Sequence, residues 1–282
     1  DGQTLELGTL AHRILRMCLE TLRADGYFID PAQSAADPFA VLEESASIVF
    51  EEFAQSQPVG YPLIWALRQE ELLGFLRGVL QDDLAELSGK WEPVLFEEEM
   101  KGRLSVSLED TAQEPEDLPV SGRLDRVDWC RSENAYRIID YKFKTGSKPG
   151  PLDKNLKLGA VRGLRLQPPF YLLMAESSIP SQLNPTSGQP TCDGVWFYYL
   201  APNWDQALTR VRFPGDAWSS GLGEPMRKAI RQMLSGIRFG RFFIYPSAFC
   251  DDCDYRLLCR KTHQPTAWRA RQDRQYVQPY RD

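Results

Sequence analysis

The sequence predicts a single α/β domain with a mixed central β-sheet. Helical patterns of apolar residues fill most of the first 90 positions, a strand and a hairpin follow, and a further helix and further strands come next. This alternation within one chain is typical of a sheet covered by helices. A length of 282 residues, with 43% hydrophobic and 26% charged residues, suits a globular domain of ordinary composition.

We expect one domain, residues 1–282, in four parts: an N-terminal helical part at 1–92, a catalytic sheet core at 93–213, a helix with a cysteine cluster at 214–263, and a basic tail at 264–282. No apolar run approaches the roughly 18–20 residues of a membrane span, and the start does not resemble a signal peptide, so we expect no membrane partner. The chain begins without methionine, which predicts that it is a piece of a longer protein.

Three helices are predicted before the first strand. Residues 7–23, 39–53 and 61–87 carry apolar side chains near helical spacing. Cys18 lies within the apolar stripe of the first helix, which is typical of a buried thiol. His12 lies at the edge of that stripe, where a lone histidine is more often a structural residue than a ligand.

Residues 93–108 change to the two-residue period of a β-strand. Its centre carries three adjacent carboxylates, Glu97, Glu98 and Glu99, which repel one another unless cations lie nearby. At least one must face the side opposite Phe96. The alternative is a solvent-facing edge on which charge blocks unwanted strand pairing.

Residues 122–146 predict a β-hairpin that carries two acids and a lysine. Because side chains alternate along a strand, Asp140 and Lys142 point to one face of its second strand. The first strand brings Asp125 alongside, and the polar run 131–134 forms the turn. These three side chains could hold a divalent cation and an activated water. An exposed salt-bridge ladder would explain them equally well.

Charge is distributed unevenly along the chain. Residues 1–120 contain 24 acidic and 8 basic residues, a net charge of −16, whereas the remainder carries +10. Basic residues concentrate just after the hairpin, with Asp153 the one acid among them: Lys142, Lys144, Lys148, Lys154, Lys157, Arg162 and Arg165. A solvated loop can carry such charges, but their position beside two acids favours phosphate binding.

The rest of the sheet core alternates again. The sequence predicts a helix that starts near Pro168, a surface loop at 177–192, strands at 194–200 and 208–213, and a helix at about 224–237.

Residues 250–263, CDDCDYRLLCRKTH, place three cysteines at C-x2-C-x5-C. Three thiolates this close indicate zinc or an iron–sulfur cluster. Two alternatives for the fourth ligand stay open, because His263 would complete a zinc site and a distant cysteine would complete a four-cysteine cluster. A disulfide framework is not expected in a chain of this size without a secretion signal.

The order of these motifs resembles the PD-(D/E)XK nuclease superfamily. The motifs are LGTLAH, a mid-chain strand glutamate, GRLDRVD, IIDYK, Q-x3-Y and C-x2-C-x5-C, and they span roughly residues 7–263. The chain more closely resembles the RecB-family exonuclease domain of the AddB type, found at the C-terminus of DNA-repair helicase–nucleases. A CRISPR-associated exonuclease family shares this order. The resemblance implies a restriction-endonuclease-like core with a mixed sheet and a C-terminal cysteine-rich staple.

The resemblance also implies roles for individual residues. Mg²⁺ or Mn²⁺ would be held by His12, Glu97 (with Glu98 as the alternative), Asp125, Asp140 and the backbone carbonyl of Tyr141. Asp125, Asp140 and Lys142 would be catalytic. Gln167 and Tyr171 would help to hold DNA, together with Lys144 and Lys148 of the basic run.

The three cysteines Cys250, Cys253 and Cys259 match those of the family's [4Fe–4S] staple. The family's first cluster cysteine precedes the histidine helix, at a point before this sequence begins. The fourth ligand would therefore be that upstream cysteine, Cys18 or His263, and Zn²⁺ is the alternative to the cluster.

The expected function is therefore metal-dependent hydrolysis of DNA by an exonuclease in repair or recombination, as the nuclease part of a helicase–nuclease. The alternative is an inactive DNA-binding or scaffold domain with a structural zinc or iron–sulfur site. No G-x-x-x-x-G-K-[ST] loop occurs, so a helicase motor would lie elsewhere in the parent chain or in a partner. These partners imply a cytoplasmic, nucleoid-associated protein.

Overall fold

The computed structural model describes residues 2–31, 34–87, 89–106, 116–183, 188–240, 250, 253–260 and 263–272. The helices in these ranges are α1 (Gly2–Ala24), α2 (Pro38–Ser56), α3 (Pro62–Leu87), α4 (Leu152–Val161), α5 (Gln167–Leu183), α6 (Gly223–Arg238) and α7 (Gln264–Gln272). The strands are β1 (Glu92–Val106), β2 (Glu116–Cys130), β3 (Ala135–Phe143), β4 (Thr191–Leu200) and β5 (Leu208–Pro214). None of these described helices is long and apolar enough to cross a membrane.

The strands form one mixed sheet in the order β1-β2-β3-β4-β5. β3 and β4 are parallel, whereas the other neighbouring pairs are antiparallel. A parallel pair needs a crossover connection, and α4 and α5 provide it between β3 and β4. The predicted α/β class with a mixed, helix-flanked sheet is confirmed.

Two apolar cores lie on opposite faces of the sheet. On one face α1, α2 and α3 pack against Ile139 and Tyr141 of β3. On the other face α4, α5 and α6 pack against Ile138 and the strands around it. Because side chains alternate along β3, Asp140 and Lys142 share the face of Ile138 and point towards α5.

A buried ion network joins α3 to β2 and β3. Arg126 is 0% exposed and its guanidinium contacts both Asp83 and Asp128, while Arg137 Nε donates to Asp128 Oδ2 at 2.9 Å. Burial alone would raise the pKa of Asp128, but the two arginines hold it below its usual value. Arg126 Nη1 also donates to the Tyr141 hydroxyl at 2.7 Å, which ties the network to β3.

The predicted loop at 177–192 is wrong over its first part, because α5 continues to Leu183 with Pro180 inside it. A proline removes one helical hydrogen bond. Burial of Ile179 and Leu183 against the sheet offsets that loss. Within the same turn, the Ser181 hydroxyl donates to the Ser178 carbonyl at 2.9 Å.

The basic run after the hairpin contains α4, which the sequence analysis did not predict. Its apolar positions Leu156 and Ala160 are buried against the sheet, while its lysines remain at the surface. β2 begins at Glu116, six residues before the predicted start of the hairpin. α7 occupies the first part of the predicted basic tail.

Candidate functional site

The candidate site lies where β2 and β3 separate. The last residue pair between the two strands is Arg126 with Ile139. The predicted acids Asp125 and Asp140 are the next residues along each strand and are not paired with each other. Asp125 Oδ2 instead accepts the backbone N–H of Tyr141 at 2.9 Å, so a side chain takes the place of a ladder partner. The opening between the strands leaves room for both carboxylates.

Glu97 occupies an unusual backbone conformation directly across from Asp125. Its φ is +49°, in the left-handed region that residues other than glycine rarely adopt. The pairs on either side, Phe96 with Arg126 and Glu98 with Leu124, put Glu97 opposite Asp125. Such strained residues concentrate at functional sites.

Three side chains from three elements form a group of metal-binding size. His12 of α1, Glu97 of β1 and Asp125 of β2 each offer one ligand atom, and these atoms lie within 4.8 Å of one another. Carboxylate oxygens with an imidazole suit Mg²⁺ or Mn²⁺. Of the two predicted alternatives on β1, Glu97 rather than Glu98 joins this group.

His12 faces the site from the third turn of α1. Its ring centroid lies 5.6 Å from that of Tyr141, the predicted source of a carbonyl ligand, and its Nδ1 lies 3.7 Å from Asp125 Oδ2. Burial lowers the pKa of His12, against the opposing effect of Asp140 and Glu97. The neutral imidazole thus favoured is the form that binds metals.

Asp140 lies outside that group of three and is held by the residues around it. Its Oδ1 accepts hydrogen bonds from Gln167 Nε2 at 2.8 Å and from the Tyr171 hydroxyl at 3.0 Å. Its Oδ2 pairs with Lys142 Nζ at 2.6 Å. Gln167 and Tyr171 are four residues apart on α5, so one helical face presents both donors to the acid.

The surroundings of Asp125 and Asp140 disfavour the ionised form of both carboxyl groups. Burial raises the pKa of Asp125 and of Asp140, and the charge of Asp125 raises that of Asp140 further. The Tyr141 N–H acts against this effect at Asp125, and Lys142 acts against it at Asp140. A bound cation would stabilise both ionised forms, so the burial and the charges fit a divalent ion.

Lys144 and Lys148 are exposed on the segment that follows β3. This segment is fixed at two points, because Trp204 Nε1 donates to the Gly146 carbonyl and Asn203 Nδ2 donates to the Thr145 carbonyl, both at 2.8 Å. The lysines therefore stand on an anchored rim beside Lys142, where a phosphate backbone could contact them.

The predicted staple cysteines lie in a segment that the structure describes only in part. Among the described residues, Cys250, Cys253 and Cys259 do not form a group of metal-binding size with one another or with His263. Cys18 is fully buried between α1 and its neighbours, and burial raises the pKa of its thiol to about 12. Asp251 and Asp252 lie outside the described residues.

Two arginines near the site were not predicted from the sequence. Arg123 Nε pairs with Glu97 Oε2 at 2.7 Å. Arg126 Nη1 donates a hydrogen bond to the hydroxyl of Tyr141 at 2.7 Å. Both belong to the GRLDRVD motif. The alternation of acid and base in that motif is the one signal that could have indicated them.

A family model described as the PD-(D/E)XK nuclease superfamily matches residues 1–260. The search of curated proteins found no match. Among solved structures, the crystal structure of SSO0001 is similar over 89% of this chain and 84% of that chain, with 12% sequence identity and a TM-score of 0.33. The superfamily consists of nucleases that use divalent metals. Since its model covers nearly the whole chain, the chain belongs to the PD-(D/E)XK nuclease superfamily.

Proposed function

We propose that this domain is a Mg²⁺- or Mn²⁺-dependent deoxyribonuclease, an exonuclease that serves DNA repair or recombination. The observation that carries the proposal is the group of His12, Glu97 and Asp125 beside the Asp140–Lys142 pair. Superfamily membership supplies the reaction class, hydrolysis of a phosphodiester.

His12, Glu97 and Asp125 would hold the ion, with the Tyr141 carbonyl beside them and Asp140 on the neighbouring strand. A divalent cation supplies Lewis-acid polarisation of the phosphate and lowers the pKa of the attacking water. Asp125 also accepts the Tyr141 N–H, and this hydrogen bond holds the peptide between Asp140 and Tyr141 in place.

Lys142 would stabilise negative charge on the phosphate during attack. Its ammonium lies 2.6 Å from Asp140 Oδ2, which aims it at the space beside the two acids. Preorganised cations of this kind are among the largest contributions to catalysis. Gln167 and Tyr171 act through Asp140, because both donate to its Oδ1.

Tyr171 has a second positioning contact. Its hydroxyl lies 3.2 Å from the Arg123 carbonyl of β2, so it also connects α5 to the strand that carries Asp125. Gln167, Lys142 and Lys144 line the same cavity beside the site, which is consistent with a path for DNA along this face.

The finer assignment rests on the order of motifs along the chain. LGTLAH, GRLDRVD, IIDYK, Q-x3-Y and the C-x2-C-x5-C cysteines occur in the order of RecB-family nucleases of the AddB type. We therefore place this nuclease domain in a helicase–nuclease, with the helicase as its partner, near the nucleoid. Cys250, Cys253 and Cys259 would hold a [4Fe–4S] cluster or Zn²⁺, with the fourth ligand from an upstream cysteine or His263.

Digestion of end-labelled single- and double-stranded DNA with Mg²⁺, Mn²⁺ or EDTA tests the proposed function. A metal-dependent exonuclease releases mononucleotides or short products from one end and is inactive in EDTA. Internal cuts with no end dependence would contradict the exonuclease assignment. DNA binding without cleavage under every metal condition would instead support the inactive DNA-binding alternative.

The cysteine assignment has its own test. Protein purified without oxygen is brown, with broad visible absorption, if an iron–sulfur cluster is present. A colourless protein that contains zinc by elemental analysis would contradict the cluster and support the zinc alternative.

A further inference from the structure

A cavity of about 520 Å³ opens beside Lys142 and Gln167. Its floor includes Phe197 and Tyr199 of β4. In the parallel register Phe197 pairs with Asp140, and Tyr199 pairs with Lys142. Lys142 lines the cavity directly, and the backbone of Asp140 lies one strand spacing, about 4.8 Å, from that of Phe197.

Aromatic rings and leucine side chains form much of the lining of this cavity. Trp204 is 9% exposed and stacks on Tyr199, with ring centroids 5.9 Å apart and an interplanar angle of 30°. Leucines of α4 and of the segment before α5 form the facing wall, among them Leu156 and Leu164. A volume in the range of about 300–1,000 Å³ is typical of small-molecule sites and can hold a planar ring.

The rim of the cavity is cationic. Lys142, Lys144 and Arg165 line it, and none of the described lining residues is acidic. Lys148 Nζ lies 5.7 Å from the centroid of the Trp204 ring. A planar aromatic ring joined to phosphates could stack on the aromatic and leucine side chains inside and place its phosphates beside the cations outside, and a nucleotide has this combination.

The cavity is also preformed. The segment that carries Lys144 is fixed to the start of the β4–β5 connection by the Trp204 and Asn203 hydrogen bonds, and Lys144 N donates to the Leu200 carbonyl at 2.8 Å. A preformed pocket binds without the cost of ordering its walls.

We propose that this cavity receives one unpaired nucleobase of the DNA strand whose phosphate lies at Asp140 and Lys142. This inference rests on the proposed nuclease function and names its substrate class as single-stranded DNA or a single-stranded end. A base in a duplex is stacked and paired, and its extraction costs about a few kcal/mol. A single strand offers the base without that loss, and aromatic platforms accept any of the four bases.

Binding of a labelled single strand, measured by fluorescence anisotropy in Ca²⁺ to suppress cleavage, tests the pocket separately from catalysis. The variant is Leu164→Glu, which places a carboxylate at the mouth of the pocket on a side chain that is 41% exposed. The matched control is Leu158→Glu, at an exposed leucine of α4 (38%) that does not line the cavity. Circular dichroism checks that both variants fold.

We expect wild-type protein to bind the single strand more tightly than the blunt duplex of the same sequence. Leu164→Glu should weaken single-strand binding by about tenfold or more, whereas Leu158→Glu should stay close to wild type. A strand with abasic sites near its end should lose a similar factor.

Equal binding of duplex and single strand, or equal affinities of the two glutamate variants, would overturn the base pocket. If the protein nevertheless shows metal-dependent cleavage, the nuclease proposal is retained and only the base pocket is rejected. If the pocket variants behave as expected but no metal supports cleavage, unpaired-base binding stands and the nuclease proposal falls.

Discussion

Asp125 Oδ2 accepts a hydrogen bond from the backbone N–H of Tyr141 at 2.9 Å. The acid of β2 is thereby fixed to the strand that carries Asp140 and Lys142. Removing the charge of Asp125 while keeping this hydrogen bond separates its electrostatic role from its structural one.

Asp125→Asn should stabilise the metal-free protein at pH 7–8 by on the order of 1 kcal/mol, or about 2–4 °C in Tm. The raised folded-state pKa of Asp125 means that its ionised form destabilises the fold. That penalty is fully present above the folded pKa and absent below the unfolded value of about 3.9, so the gain should disappear near pH 4. Thermal unfolding with and without Mn²⁺ measures both effects, and Mn²⁺ should stabilise wild type only. A variant less stable than wild type in metal-free buffer would contradict this.

Glu97→Gly and Glu97→Gln should separate backbone strain from ligand loss. Both remove the carboxylate and should weaken Mn²⁺ binding, measured by calorimetry. The glycine variant should be more stable than the glutamine variant by about 1 kcal/mol, because a left-handed φ costs glycine little. Equal melting temperatures would show that Glu97 is not strained.

Lys142→Ala should reduce DNA cleavage by about 100-fold or more, because the proposed charge stabilisation is lost. Lys101→Ala is the control, since Lys101 is exposed on β1 and outside the site. Mn²⁺ affinity should be retained in both variants. Retention of cleavage in Lys142→Ala would remove this lysine from the catalytic set.

Arg126→Met should lower the free energy of unfolding by about 3–5 kcal/mol, because it removes the arginine that pairs with the buried carboxylate of Asp83 and leaves Asp128 with Arg137 alone. Arg16→Ala, which breaks an exposed pair with Glu20, should change it by less than about 1 kcal/mol. Denaturant unfolding at pH 7 provides both values, and similar small changes would contradict a structural role for the network.

The depressed pKa of Asp128 adds a pH signature. Its contribution to stability is present above the unfolded value of about 3.9 and is lost as the pH falls through the lower folded value. The decrease in the free energy of unfolding caused by Asp128→Asn should therefore be largest at neutral pH. It should become smaller in acid, where wild-type Asp128 also loses its charge. A difference that is constant with pH would contradict this assignment.

The alternation of side chains along β3 placed Asp140 and Lys142 on one face, and the four-residue spacing of Gln167 and Tyr171 placed both on one helical face. Local periodicity determines these relationships, so the sequence contains them. The conformation of Glu97 depends on pairing between β1 and β2, which no local pattern encodes.

The burial of Arg126 and the continuation of α5 through Pro180 were not predicted, because both depend on tertiary packing. Arg126 looks like a surface residue in sequence, and its burial depends on acids from α3 and β2. α5 passes through Pro180 because Ile179 and Leu183 find a core to pack against. Contacts distant in sequence supply both explanations.

The rate of Mg²⁺-dependent cleavage of end-labelled DNA by wild-type protein and by Asp140→Ala tests the metal-dependent nuclease most directly. Both proteins are compared at equal concentration after circular dichroism shows that each is folded. We predict cleavage by wild type that EDTA abolishes and a loss of about 100-fold or more in the variant. Cleavage in EDTA, or equal rates for the two proteins, would contradict the proposed site.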